Sequence, residues 1–235
     1  MMTKMTLKMK YLWLWSNGLP VFMFLLVVQG GSSGSFLLVK HTRRSDNLGV
    51  FSLAVSPFIS GGWGCGYRSL QTLCSWVRHQ LNEDAPQPVP DLHQIQQTLV
   101  GIGDKPTSFV KSREWIGSYE SCLCIDQLYN VCCKILHVTT GAEVQDKALE
   151  ILMHFKSFGS PVMIGGDTDC SSKTLLGICK VQNDKFYFLI SDPHFVGVAS
   201  PRVLLDDGWL KWRKLEDVFD KNSFYNFCLP QLRKL

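Results

Sequence analysis

Cys65 stands in "GGWGCGYRSLQTLCSW" (residues 61–76), behind glycines and a tryptophan and at the head of an amphipathic run. Past Tyr67, the residues Leu70, Leu73, Cys74 and Val77 recur at three- and four-residue spacings. That is the pattern of a helix that buries one face. Gly61, Gly62 and Gly64 permit a close backbone approach that side chains would block. A cysteine in the first turn of such a helix lies among unpaired N–H groups at the positive end of the dipole, and both favour a thiolate. The environment suits a nucleophile. It equally suits a buried structural thiol, the commoner state of free cysteine, and this stretch alone leaves both readings open.

A nucleophilic thiol needs a base to take its proton and return it to the leaving group, and the base needs a third group to orient it. "ISDPHFVG" supplies both types of residue at the end of a predicted strand. Asp192 and His194 are two apart, so in extended backbone they share a face, and Pro193 stiffens the link. As an isolated tripeptide, Asp-Pro-His is an ordinary turn after a strand. His79, His93 and His154 fall on helical patterns with no carboxylate arranged beside them.

The elements that must position these residues follow from the same periodicities. After the Cys65 helix come Pro86, Pro88 and Pro90, and then Asp91 as the N-cap of a helix carrying Leu92, Ile95 and Leu99, ended by Gly101 and Gly103. A helix is predicted over 118–129, a strand over 134–139, and a helix with Val144, Ala148, Ile151, Leu152 and Phe155 on its stripe, stopping near Gly159. Apolar runs at 161–165, 174–181 and 186–190 predict strands buried on both faces. A short helix near 215–220 and a strand at 225–229 close the chain. Helices first and strands later indicate an α+β fold.

With 235 residues, 46% hydrophobic and 19% charged, the chain can bury a full core in one domain. A net charge of +4, with no basic block interleaved with aromatics, argues against nucleic acid as a partner. Nine cysteines form no regular framework. Cys122, Cys124, Cys132 and Cys133 contain no C-x2-C pair, so no metal site is expected, and the thiols read as buried groups in a reducing compartment.

Residues 1–60 read differently. Lys4, Lys8 and Lys10, the apolar stretch 11–28 and "GGSSGS" together imitate a secretory signal or an anchor. Ser16, Asn17, Gly18 and Pro20 interrupt that stretch, leaving only 21–28 continuous, well short of the ~20 residues that span a bilayer. Signal, anchor and a segment foreign to the working protein all stay open, and membrane association with them. The expected organisation is a poorly ordered extension over 1–60 and a folded domain over 61–235.

Five blocks carry a resemblance: "GWGCGYRSLQTLCSW", "GDKPTSFVKSREWIGSYE", "PVMIGGDTDCSSKTLLGI", "LISDPHFVG" and "GWLKW…FDKNSFYNFCLP". In order and spacing they are similar to the cysteine proteases specific for the ubiquitin-fold modifier, with "GGDTDCSSKTLLGIC" closer to the shorter of two paralogues. The autophagy cysteine proteases share the Gly-Trp-Gly-Cys opening and an Asp-Pro-His element, a weaker match. The resemblance implies a papain-like α+β fold, with the nucleophile at a helix N-terminus and Asp-Pro-His at a strand end. It implies a cytoplasmic thiol peptidase, without cofactor, whose partner is the modifier, cut after its C-terminal glycine in precursors and in lysine conjugates.

Carried over by position, Cys65 matches the nucleophile, Asp192 the orienting acid and His194 the base. Trp63 and Trp115 fall in motifs near the cleft, as candidate walls for a glycine-ending tail or as core packing. One departure stands out. The family has a tyrosine-rich segment shortly before the nucleophile, and one of its tyrosines binds the developing oxyanion. Here "GVFSLAVSPFIS" has no tyrosine. Loss of one oxyanion donor costs ~10²–10³ in kcat, so a modifier-binding protein with little turnover is the alternative reading.

Overall fold

The computed structural model describes residues 12–16, 19–23, 35–38, 63–81, 87–167, 172–180, 185–195 and 201–233. In chain order these form strands β1 (Leu12–Ser16), β2 (Leu19–Met23) and β3 (Ser35–Leu38), then helices α1 (Cys65–Leu81), α2 (Leu92–Gly101) and α3 (Ser118–Tyr129). Strand β4 (Cys133–Val138), helix α4 (Val144–Ser157) and strands β5 (Val162–Gly166), β6 (Ser172–Lys180) and β7 (Phe186–Ser191) follow. Helix α5 (Pro201–Asp206) and strands β8 (Leu210–Lys214) and β9 (Tyr225–Pro230) complete the set.

Alternation along the strands decides the layers. Met163, Leu176, Leu189 and Cys228 face a core shared with α1, α2 and α3. Their chain neighbours Val162, Ile164, Leu175, Ile190, Phe227 and Leu229 face a second core shared with α4. An antiparallel sheet in the order β4-β9-β5-β6-β7-β8 therefore lies between three helices and one. Both of its faces are covered, as the apolar runs of β5, β6 and β7 require. Between Leu175 and Gly177 the register of β6 against β7 gains one residue. This bulge is why Leu175 and Ile178, three apart, share the α4 side while Leu176 faces α1.

Helix boundaries follow their caps. Asp91 accepts from the Gln94 N–H at 2.7 Å while the Gln94 side chain accepts from the Asp91 N–H at 2.8 Å, closing a capping box. Asn130, in left-handed backbone at φ 53°, ends α3. Those elements lie where their periodicity predicts. Helix α5 and strand β8 do not appear in the sequence reading, and the short helix expected near 215–220 is one 3₁₀ turn, Leu215–Asp217.

The N-terminal stretch contributes strands. β1 and β2 pair as a hairpin with Ser16 opposite Leu19. β3 pairs with Gly177–Lys180 of β6, on the same side of β6 that β5 occupies along Ser172–Leu175. The sheet thus takes in four residues from before the boundary expected near residue 61. Among the described residues, no helix is long and apolar enough to cross a membrane.

Candidate active site

Cys65 is the first residue of α1 and only 6% exposed. The N–H groups of a first helical turn have no intrahelical partner, so they are free to face the sulfur. The Ser172 N–H donates to the sulfur across 3.4 Å from the start of β6, and the Gly66 amide beside it adds a smaller favourable influence on the thiolate. A side chain on Gly66 would collide with the backbone carbonyl of Ile116, so the 111–117 segment packs directly on the turn that bears the thiol.

That segment is held by a buried network. The Tyr67 hydroxyl donates to the Glu114 carbonyl at 2.8 Å, and Gln96 Nε2 donates to the Ser112 carbonyl at 3.0 Å. Gln96 Oε1 accepts from the Lys111 N–H at 2.8 Å. Lys111 is left-handed at φ 66°, a conformation this bond helps hold.

Asp192 and His194 lie just past the end of β7, in a turn. His194 Nδ1 meets Asp192 Oδ1 at 2.6 Å, and the same oxygen accepts the His194 backbone N–H at 3.1 Å. The carboxylate is therefore bound to both ends of one residue, and the imidazole orientation is defined locally. The Asp192 N–H donates to the Trp209 carbonyl at 2.8 Å, and Trp209 meets Phe195 edge to face with centroids 5.8 Å apart. The His194 side chain also interacts with the Cys65 thiol, by hydrogen bond and by charge.

Electrostatics follow from these contacts. Burial pushes the Cys65 thiol up, but the His194 hydrogen bond, the Ser172 amide and the His194 charge outweigh it, so its pKa falls below the usual thiol value. Asp192 and then Cys65 hold the proton on His194, raising its pKa to about 10 against a smaller opposing effect of burial. Burial raises Asp192, yet the His194 contacts overcome that and keep it below the ordinary carboxylate range. The arrangement favours a thiolate–imidazolium pair. By contrast, His154 is buried against Ser160 Oγ at 2.8 Å, and burial lowers its pKa to about 4, so it is a neutral core residue.

All three chemically typed candidates, Cys65, Asp192 and His194, are brought together. Trp63 is half-buried and packs edge to face on Tyr67 at 5.4 Å, on the rim of the helix-side core. Trp115 is 50% exposed, one residue before the Ile116 carbonyl that abuts Gly66. Residues 49–60, where the tyrosine departure falls, lie outside the described residues. Sequence reasoning missed Ser172, whose contribution is a backbone N–H that no side chain advertises. It also missed Trp209, which acts through its carbonyl, and Gln96, which looks like any polar residue on a helix.

A thiol at a helix start, facing an imidazole that a carboxylate holds, is the constellation of thiol-dependent hydrolases. The model of peptidase family C78 matches residues 49–228. Ufm1-specific protease 2 of Gallus gallus is 47% identical over 174 residues, covering 74% of this chain and 37% of that protein. Ufm1-specific protease 1 of Mus musculus is 44% identical over 171 residues, covering 72% of this chain and 76% of that protein. The crystal structure of UfSP from C. elegans superposes with a TM-score of 0.70 at 27% identity, over 91% of this chain and 42% of that one. The chain belongs to peptidase family C78 and has its papain-like α+β fold. It spans between 27% and 42% of the length of the protease 2 relatives it matches.

Proposed function

We propose that this chain is a thiol peptidase that cleaves after the C-terminal glycine of a ubiquitin-fold modifier of the Ufm1 type, in precursors and in conjugates to lysine. The observation that carries this reading is the Cys65–His194–Asp192 chain of hydrogen bonds, with Asp192 at 2.6 Å from the ring. The specificity in the relatives' names supplies the modifier.

In this mechanism the Cys65 thiolate attacks the carbonyl carbon of the glycine, and the oxygen gathers negative charge. The Ser172 N–H, which already donates to the sulfur, and the Gly66 amide of the same helix turn are the candidate donors to such an oxyanion. The His194 imidazolium gives its proton to the departing amine, leaving a thioester on Cys65. Water then attacks the thioester carbonyl as His194 takes its proton, the C–S bond breaks with the Cys65 thiolate as leaving group, and release of the product restores the thiolate–imidazolium pair. Asp192 keeps Nδ1–H bonded, so the other ring nitrogen faces the sulfur. Trp63 and Trp115, flanking the thiol turn, act in this reading as walls that admit a tail without side chains. Unpaired thiols on every described cysteine suit a cytosolic setting.

The direct test is a modifier carrying a C-terminal electrophile. A covalent adduct that maps to Cys65, together with cleavage of a modifier precursor, is expected. Reversible binding with neither adduct nor cleavage would overturn the assignment.

A further inference from the structure

Three thiols remote from the Cys65 turn converge beneath α3. Cys122 comes from that helix, Cys133 opens β4, and Cys228 lies in β9. Cys228 pairs with Ile135, two residues beyond Cys133, so Cys133 and Cys228 share the sheet face that α3 covers. The sulfurs of Cys122 and Cys228 are 3.4 Å apart, and all three lie within 4.8 Å of one another. Cys228 is fully buried while Cys122 and Cys133 are half-buried, which makes a dry floor with an open rim.

One edge of this triangle is 3.4 Å and no edge exceeds 4.8 Å, a range that brackets the sulfur spacing around a single ion. An ion held at ~2.3 Å by each of three thiolates sets the sulfurs about 3.8–4.0 Å apart. Among the described residues the cluster contains no carboxylate or imidazole. All-sulfur donors select soft cations over the oxygen-seeking Mg, Ca and Mn. A Cys122–Cys228 disulfide would need an oxidant, a closure to ~2.05 Å, and no part for Cys133. We propose that Cys122, Cys133 and Cys228 form a three-thiolate site for a soft closed-shell cation of the Cu(I) or Zn(II) class. Each thiol gives up one proton on binding. The ion is neither oxidised nor reduced, and the three sulfur–metal bonds pin α3 to β9 and to β4 at the end of the sheet order. None of the chemistry assigned to Cys65 uses this site.

The test uses the full chain with Cys65→Ser, so that the other reactive thiol does not compete, reduced and kept anaerobic. Cd(II), as a spectroscopic stand-in for Zn(II), and Cu(I), delivered from a competing chelator, are titrated separately. The expected result is one equivalent bound in at least one arm, with an ultraviolet sulfur-to-metal charge-transfer band and a raised Tm. The arm that binds identifies the ion class. Adding Cys122→Ser or Cys133→Ser should weaken binding at least tenfold and remove the Tm gain. These half-buried positions carry the decision because Cys228→Ser places a hydroxyl in the core and endangers the fold. No band in either arm, or an unchanged band in both added variants, would overturn the site. So would peptide mapping that finds a Cys122–Cys228 disulfide in the untreated protein.

Discussion

Replacing Cys65 by serine exchanges a thiol already biased toward its anion for a hydroxyl that stays protonated at neutral pH. Cys65→Ser should therefore abolish precursor cleavage while leaving Tm and modifier affinity nearly unchanged. In the native protein Cys65 should also be alkylated ahead of the fully buried Cys74, whose thiol burial pushes well above its ordinary value. Faster labelling of Cys74 in a mass-spectrometric time course would contradict this. The pH profile is a second check. The thiolate–imidazolium pair persists up to the loss of the His194 proton, near pH 10, so the alkaline limb of kcat/KM belongs to the coupled pair there. Asp192→Asn removes the largest influence that raises His194, so that limb should move to lower pH, with kcat down ~10²–10⁴. The same coupling acts on stability. His194 is raised above its unfolded value of 6.5, so its contribution is complete below that pH and is lost as pH rises through about 10. Asp192→Asn should flatten the alkaline arm of a Tm-against-pH curve, and an unchanged arm would count against the ion pair.

At the scale of elements, Gly66 decides how closely the 111–117 segment approaches the thiol turn. Gly66→Ala drives a methyl into the Ile116 carbonyl, a backbone atom that has no rotamer to yield. An overpacking cost of ~1–3 kcal/mol is expected, together with a displaced thiol and a fall in kcat approaching ~10²-fold. Thermal melts and single-turnover kinetics measure the two separately. The same elements show which features the sequence makes legible. α1, α2, α3 and α4 each carry an apolar stripe with a cap or a glycine at an end, and strands β5, β6 and β7 each hold an apolar run, "LLGIC" in β6. β8 escapes because "LKWRK" is mostly polar and relies on β7 for pairing, which is a long-range fact. In the N-terminal hairpin, Asn17 and Gly18 read as interruptions of an apolar run, although Asn-Gly between apolar segments is a strong local hairpin signal. For the site, side-chain types identify Cys65, Asp192 and His194, whereas the amide of Ser172 and the carbonyl of Trp209 carry no sequence signature. The three-thiol cluster was illegible for a related reason. Spacing along α3 and β4 says nothing of Cys228, 106 residues from Cys122.

For the whole molecule, the N-terminal stretch divides into two parts with different consequences. Among the described residues the β1–β2 hairpin pairs with no strand of the large sheet, so deleting residues 1–30 should change Tm by no more than a few degrees. Deleting residues 1–60 also removes β3 and uncovers the backbone of Gly177–Lys180. Cross-strand pairs contribute roughly 0.2–1 kcal/mol each, and each kcal/mol is worth about 2–4 °C in a domain of this size. The longer deletion should thus melt several degrees lower and aggregate more readily through the open edge. Equal melting of the two truncations in calorimetry would show that β3 adds nothing.

The thiol and the groups that govern it come from opposite ends of the folded chain. Cys65 begins the first helix, the Ser172 amide that contacts it follows 107 residues later, and the Asp192 N–H is held by the Trp209 carbonyl, later still in the chain. During synthesis the thiol therefore emerges long before any base can reach it. A nascent chain is chemically idle until its last strands have left the ribosome, and the appearance of activity reports the end of folding. Stalled chains ending before residue 192 should react with a general alkylating agent at an ordinary thiol rate and form no adduct with an electrophilic modifier. Release of the complete chain should bring both properties on together.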